Sequence, residues 1–122
     1  MNTKNLTNIS YMFYRFVSLT RLDLSNCNTS NVIRMKCMFI GCYFLKELNL
    51  LNYNTKNVTN MCLMFEDCRA LEELDLSYFD TNNVIKMSDM FLRCSSLKKL
   101  IYQILIQIKS LIWLVCLVDV TN

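Results

Sequence analysis

The sequence predicts an α/β solenoid of short parallel strands and short helices, and three observations support this fold class. The 122-residue chain repeats itself at a period of 26 residues without an insertion. The first half of each repeat alternates apolar and polar residues, as a half-buried strand does. The second half places its apolar residues on one stripe at helical spacing. A fixed period of about 20 to 50 residues indicates units that stack because none can bury its apolar face alone.

The repeat boundaries follow from aligning the chain with itself. The three full repeats read "LTRLDLSNCNTSNVIRMKCMFIGCYF", "LKELNLLNYNTKNVTNMCLMFEDCRA" and "LEELDLSYFDTNNVIKMSDMFLRCSS". With a partial repeat before them and the start of another after them, the repeats in chain order are 2–18, 19–44, 45–70, 71–96 and 97–100. We therefore expect one repeat domain over residues 1–100 and a divergent apolar tail over residues 101–122.

The first half of each repeat is predicted to be a short strand. In "ELDLS", Leu74 and Leu76 flank Asp75, so one face of the strand is apolar and the other is polar. Stacking the repeats places such strands side by side, roughly 4.8 Å apart, in one parallel sheet. We expect one strand from each of the segments 22–24, 48–50 and 74–76.

The second half of each repeat is predicted to be a short helix. In the central repeat, the apolar stripe consists of Val58, Met61, Met64, Phe65 and Cys68. Two polar positions recur in each repeat before the stripe. One is occupied by Asn5, Asn31, Asn57 and Asn83, and the other is occupied by Thr3, Thr29, Thr55 and Thr81. Because asparagine caps helices and both residue types hydrogen-bond to turns, we interpret these columns as capping and turn ladders rather than ligand contacts.

The composition argues against several kinds of site. The chain has no histidine, one glycine and a formal net charge of +3. The commonest general base and nitrogen ligand is therefore missing, and a glycine-rich phosphate loop is excluded. There is no CxxC or zinc-type spacing, and no basic run indicates nucleic acid. We predict no enzyme activity, no catalytic or metal site, no cofactor and no nucleic-acid partner.

The chain has seven cysteines, an odd number that cannot all pair within it. Cys42, Cys68 and Cys94 share one register on the apolar stripe. Because packed helices lie roughly 8–10 Å apart and a disulfide needs Cα atoms within about 7 Å, we expect buried free thiols in this column. Cys37 and Cys62 lie off the stripe and are candidates for exposure.

The polar side chains of the strands supply the candidate binding surface. On the face directed away from the helices they form two columns, Arg21, Glu47, Glu73 and Lys99 in one and Asp23, Asn49 and Asp75 in the next. The extended surface of a repeat stack is a common recognition surface, so we interpret the columns as a strip that binds a protein partner. A solvated face with cross-strand charge pairs is the alternative.

The tail "IYQILIQIKSLIWLVCLVDVTN" (101–122) departs from the repeat pattern. Its uninterrupted apolar run, "LIWLVCLV", has eight residues, whereas a membrane-spanning helix needs about 20, so we expect no membrane span. Back-translated with AT-rich codons and shifted by two bases, the tail reads as another repeat, and we interpret it as a frameshifted remnant. A divergent cap or an amphipathic tail is the alternative. Uncapped ends of the stack favour self-association.

The pattern "LxxLDLSxFDTxNVxxMxxMFxxC" resembles the BspA-like leucine-rich repeat. The resemblance covers residues 2–100, and its most specific part is "DLSYFDTNNV..M..MF..C" in residues 75–94. That family includes bacterial surface proteins and lipoproteins and proteins of some protists. The resemblance implies a leucine-rich-repeat solenoid, a place at the cell surface or outside the cell, and binding to host, matrix or neighbouring-cell proteins. It supplies no catalytic residues.

We therefore expect a protein-interaction repeat module that is a fragment of a longer surface protein. No secretory signal is visible at the N-terminus, and Met1 directly precedes the partial repeat. A truncated or decayed gene product without activity of its own is the alternative from a different class. An intracellular scaffold is a weaker alternative.

Overall fold

The computed structural model describes residues 3–102, whose repeats are stacked in register. These residues contain four short strands, β1 (Arg21–Asp23), β2 (Glu47–Asn49), β3 (Glu73–Leu76) and β4 (Lys99–Tyr102). β1 pairs with β2, and β3 pairs with β4, in both cases in parallel and at an offset of one 26-residue repeat. Each repeat therefore makes one circuit of the stack, which we call a coil, and lies against the next coil.

Each predicted strand overlaps its segment, with β1 and β2 lying one residue earlier than the predicted 22–24 and 48–50. The strands do not form the single sheet that was expected. Among the described residues, no strand pairing joins β2 to β3, although the two strands are in contact. We call this boundary the seam. The turn that follows β2 also differs from its counterparts: Asn52 has a φ of 63°, whereas Asn26 and Tyr78 in the same register have negative φ.

The prediction of helices is wrong, because residues 3–102 contain no helix. An α/β solenoid of strands and helices is therefore not the fold of this part of the chain. Where each helix was expected, the backbone makes tight turns over residues 9–16, 35–42, 61–68 and 87–94, which we call the turn segments. Each turn segment has two residues with positive φ, four positions apart. The first is Tyr11, Cys37, Leu63 or Asp89, and the second is Arg15, Gly41, Asp67 or Arg93.

The close spacing of the coils explains why turns replace helices. The rings of Phe39 and Phe65, in neighbouring coils, have centroids 5.5 Å apart. Packed helices need roughly 8–10 Å between their axes, so helices cannot stack at this spacing. A helix also satisfies each N–H within its own segment. In the turn segments alternate N–H groups bond to the next coil instead, as when the Phe65 amide donates to the Met90 carbonyl at 2.9 Å.

The apolar stripe is nevertheless the core of the stack. Each of its residues in the central coil is 0% exposed, namely Val58, Met61, Met64, Phe65 and Cys68. Successive tight turns return side chains to one side every three or four residues, much as a helix does. The spacing therefore identified the buried residues correctly while misidentifying the backbone that carries them.

Two polar ladders connect the coils beside this core. The Thr55 hydroxyl donates to the Asp80 carbonyl at 3.0 Å and accepts from the Asp80 N–H at 2.8 Å. The Asn57 side-chain amide donates to the Ser30 carbonyl of the preceding coil at 2.8 Å. The interpretation of the asparagines as helix caps is wrong, since no helix follows them, but both columns do form ladders between coils.

The buried cysteine column makes a third ladder. The Cys68 thiol donates to the Phe39 carbonyl at 3.3 Å, and the Cys94 thiol donates to the Phe65 carbonyl at 3.0 Å. The six cysteines of the described residues are free. The helix-spacing argument for free thiols was wrong, because no helices are present. Cys37 is also buried, at 4% exposure, although it lies off the stripe.

Replacing Gly41 with alanine is expected to destabilise the protein by about 1–2 kcal/mol. Gly41 has a φ of 75°, a left-handed conformation that an L-residue with a Cβ adopts only with strain. The added Cβ also lies 2.9 Å from Cγ of Arg15, a flexible side chain that can move aside. Urea denaturation of wild type and Gly41→Ala measures the effect.

The sign of the change in unfolding free energy caused by Gly41→Ala distinguishes a turn segment from a helix. Inside a helix, exchanging glycine for alanine stabilises by roughly 0.5–1 kcal/mol. A Gly41→Ala protein that is more stable than wild type would therefore contradict the turn segments. The matched control is Ser18→Ala, at an exposed position whose φ is not positive.

The last described residues extend the stack. β4 reaches Tyr102, so the first two residues of the predicted tail pair with β3. The rest of the tail, residues 103–122, lies outside the described residues, together with the interpretations placed on it. No helix in residues 3–102 is long and apolar enough to cross a membrane.

Candidate protein-binding surface

The outward side of the four strands, which we call the sheet face, carries all seven predicted site residues. Strand alternation directs every second side chain outward, so these positions are exposed while the leucines between them point inward. The parallel register places Arg21 opposite Glu47, and Glu73 opposite Lys99. The face therefore presents one continuous row of charged and polar groups from successive coils.

A groove of about 980 Å³ runs along the sheet face and crosses the seam. Six of the seven predicted residues border it, namely Arg21, Asp23, Glu47, Asn49, Glu73 and Asp75. Lys99 is exposed on β4 but does not border the groove. The structure thus places residues from three coils around one concave surface.

One end of the groove is neutralised by an ion pair. Arg21 Nη2 lies 2.8 Å from Glu47 Oε2, and Nε donates to the same oxygen at 2.9 Å. The two side chains are 75% and 64% exposed, so solvent screens the pair and it adds little to stability. Its consequence is local, because the charge of Glu47 is compensated where β1 meets β2.

Three of the predicted residues also shape the backbone where their strands end. Oδ1 of Asp23 accepts from the Ser25 N–H at 2.9 Å, and Asn49 and Asp75 accept in the same way from the residue two positions on. Hydrogen bonds from the side chain and the backbone of Ser25 hold the pKa of the Asp23 carboxyl below its usual value. These residues therefore serve the turn as well as the surface, and replacing them tests both roles together.

Besides the strand leucines Leu22, Leu48 and Leu74, four residues that sequence reasoning did not assign to the site border the groove. Lys46 and Glu72 are exposed and immediately precede β2 and β3, respectively. Ala70 lies in the connection that leads into β3, and Ile101 lies in β4. Lys46 and Glu72 occupy one register, but each is adjacent to an outward strand residue, so the alternation pattern gave no signal for them. Ile101 lay in the segment assigned to the tail.

The buried thiols are not suited to nucleophilic chemistry. Burial raises the pKa of the Cys94 thiol to about 12, and it raises the pKa of Cys68 well above its usual value. Both thiols therefore stay protonated near neutral pH and serve as small packed groups with a weak donor. Within the part of the chain that the structure describes, no group of histidine, cysteine, aspartate or glutamate side chains could hold a metal ion.

In comparisons with known proteins, no curated protein and no solved structure matches the chain. A protein-family model matches residues 7–108, which include every strand and every turn segment described above. The chain therefore belongs to the family described as Mycoplasma protein of unknown function, DUF285.

Proposed function

We propose that this chain is a protein-interaction repeat module that holds its partner against the sheet face. The observation that carries the proposal is the groove of about 980 Å³ to which three coils contribute exposed polar side chains. Small-molecule pockets are usually lined mainly by apolar and aromatic groups. This groove is open, and charged side chains border it on both sides of the seam, which suits a segment of another protein.

We also propose that the chain acts at the cell surface or outside the cell, on host, matrix or neighbouring-cell proteins. The support is the resemblance of residues 75–94 to the BspA-like repeat, together with a family match that spans nearly the same coils. This proposal treats the DUF285 repeat and the BspA-like repeat as the same structural repeat. The proposed activity is binding without catalysis.

Filling the groove without changing its charge tests the binding surface. Ala70 borders the groove, and the residue one coil earlier in its register is Phe44, which is 57% exposed. The coil therefore accepts an aromatic side chain at this position. Ala70→Phe is expected to weaken binding at least tenfold when the immobilised full chain is assayed against purified matrix proteins and intact cells.

Ser18→Phe is the matched control, because Ser18 occupies the same register outside the groove. It is expected to bind as wild type does. Equal binding by Ala70→Phe and Ser18→Phe would show that the partner uses another surface. A folded wild-type chain that binds none of these targets would favour a gene product without activity of its own.

A further inference from the structure

Resting on the proposed function, we propose that the partner presents a basic, extended segment whose lysine or arginine side chains lie in the groove beside β3. Two independent features of the groove carry this inference. One is the distribution of charge along its length. The other is the apolar surface that lies beside the charged groups.

The charge of the groove is opposite to that of the chain. The formal net charge of the chain is +3, yet two cations and five carboxylates border the groove, and the carboxylates are Asp23, Glu47, Glu72, Glu73 and Asp75. Arg21 already compensates Glu47 at the β1 end. Among the residues that border the groove, the remaining carboxylates therefore lie at the third strand, namely Glu72, Glu73 and Asp75. Lys98 and Lys99 of the next coil lie opposite Glu72 and Glu73 but do not border the groove.

Apolar groups lie beside these carboxylates. Ile101 pairs with Asp75 in the strand register and is 38% exposed, although Asp23 and Asn49 are polar in the same column. Leu48 and Ala70, both half-buried, also border the groove. An apolar strip next to carboxylates fits the aliphatic stem and charged head of lysine or arginine.

This combination selects one kind of ligand. A small inorganic cation gains nothing from the apolar strip, and no metal-binding cluster exists among the described residues. An acidic partner would be repelled at β3. A basic segment in extended conformation alternates its side chains, so every second residue can place a cation against the carboxylates while its stem covers Ile101 or Ala70.

The test uses two labelled peptides and two matched double variants of the full chain. The probes are an eight-residue peptide of alternating lysine and threonine and its glutamate–threonine counterpart, with binding measured by fluorescence anisotropy at low salt. Glu72→Gln with Glu73→Gln removes two charges from the groove without changing side-chain size. Asp80→Asn with Asp89→Asn removes two charges elsewhere.

The control pair is compatible with the fold at both positions. Asn28 and Asn54 occupy the register of Asp80 in the preceding coils. Asp89 is exposed, and its φ of 54° is one that asparagine tolerates as well as aspartate does. Circular dichroism and melting temperature establish that both double variants keep the wild-type fold.

The lysine peptide is expected to bind the wild-type chain, and the glutamate peptide is not. The groove variant should weaken this binding about tenfold, which corresponds to about 1.4 kcal/mol. The control variant should remain within about twofold of wild type. Contacts in NMR spectra between the lysine methylenes and the Ile101 methyls should locate the peptide even if the groove variant proves unstable.

Three outcomes would overturn the inference: no binding of the lysine peptide, equal binding of both peptides, or equal weakening by both double variants. Equal weakening by both double variants would mean that the overall electrostatic field of the protein, and not the groove, attracts the peptide. A protein partner that Ala70→Phe displaces but the groove variant still binds would contradict the basic segment and leave the proposed function standing.

Discussion

Replacing Phe65 with alanine is expected to lower the free energy of unfolding by about 3–5 kcal/mol. The ring is 0% exposed. It stacks between Phe39 and Phe91 with centroids 5.5 and 5.6 Å away and with nearly parallel planes. Removing it leaves a cavity in the middle of the column, and the coils cannot close over that cavity because their backbones are fixed by hydrogen bonds on both sides.

Chemical denaturation followed by circular dichroism measures the change. Ile85→Ala is the matched control, since Ile85 also loses a large apolar side chain but is 73% exposed. It is expected to cost less than about 0.5 kcal/mol. A loss below about 1 kcal/mol for Phe65→Ala would mean that the phenylalanine column is not the core of the stack.

The second-largest effect is expected from replacing Thr55 with valine, a change of nearly equal volume. Thr55 is 1% exposed, and its hydroxyl both donates to the Asp80 carbonyl and accepts from the Asp80 N–H. Valine leaves these two partly buried backbone groups without that partner. Each orphaned group costs about 1–3 kcal/mol, and because both are only partly buried we expect the lower end of that range, a loss of about 2–3 kcal/mol in total.

Thr59→Val is the control for the same chemical change. The Thr59 hydroxyl makes one long hydrogen bond, 3.4 Å to the Ile33 carbonyl, and the residue is only half-buried. Its replacement is expected to cost less than about 1 kcal/mol. Thermal unfolding of the two variants side by side is the measurement, and equal losses would contradict a structural role for the threonine ladder.

The sequence allowed the strands and the buried residues to be predicted because both depend on side-chain periodicity. Leu74 and Leu76 alternate with exposed residues in β3, and Phe65 is buried as the stripe requires. Helix and turn segment could not be distinguished in this way, because both return a side chain to the core every three or four residues. The distinction depends on coil spacing and on positive φ at positions such as Leu63 and Asp67.

The spacing of the coils could not be predicted from the sequence. Strands lie roughly 4.8 Å apart and helices roughly 8–10 Å apart, but a curved stack can hold both, so the choice between helix and turn depends on the curvature of the stack. The seam between β2 and β3 also has no counterpart in the pattern, because the strand motif is nearly the same in each coil. The role of Ile101 in the groove likewise depended on where β4 ends.

The polar columns illustrate what can be predicted of a surface. Arg21, Glu47 and Glu73 were chosen because outward strand positions of successive repeats must lie side by side, and they do border one groove. Cross-strand charge pairs were the alternative interpretation of these columns, and Arg21 does pair with Glu47. That pair determines which carboxylates of the groove are left for a partner.

The hydrogen bonds that cross from coil to coil are the central claim, since they set the spacing that builds both the core and the sheet face. NMR scalar coupling through a hydrogen bond detects them one at a time. We expect a coupling between the amide nitrogen of Phe65 and the carbonyl carbon of Met90, whose oxygen lies 2.9 Å from that nitrogen. A coupling from Phe65 to Met61, four residues earlier as in a helix, would contradict the account.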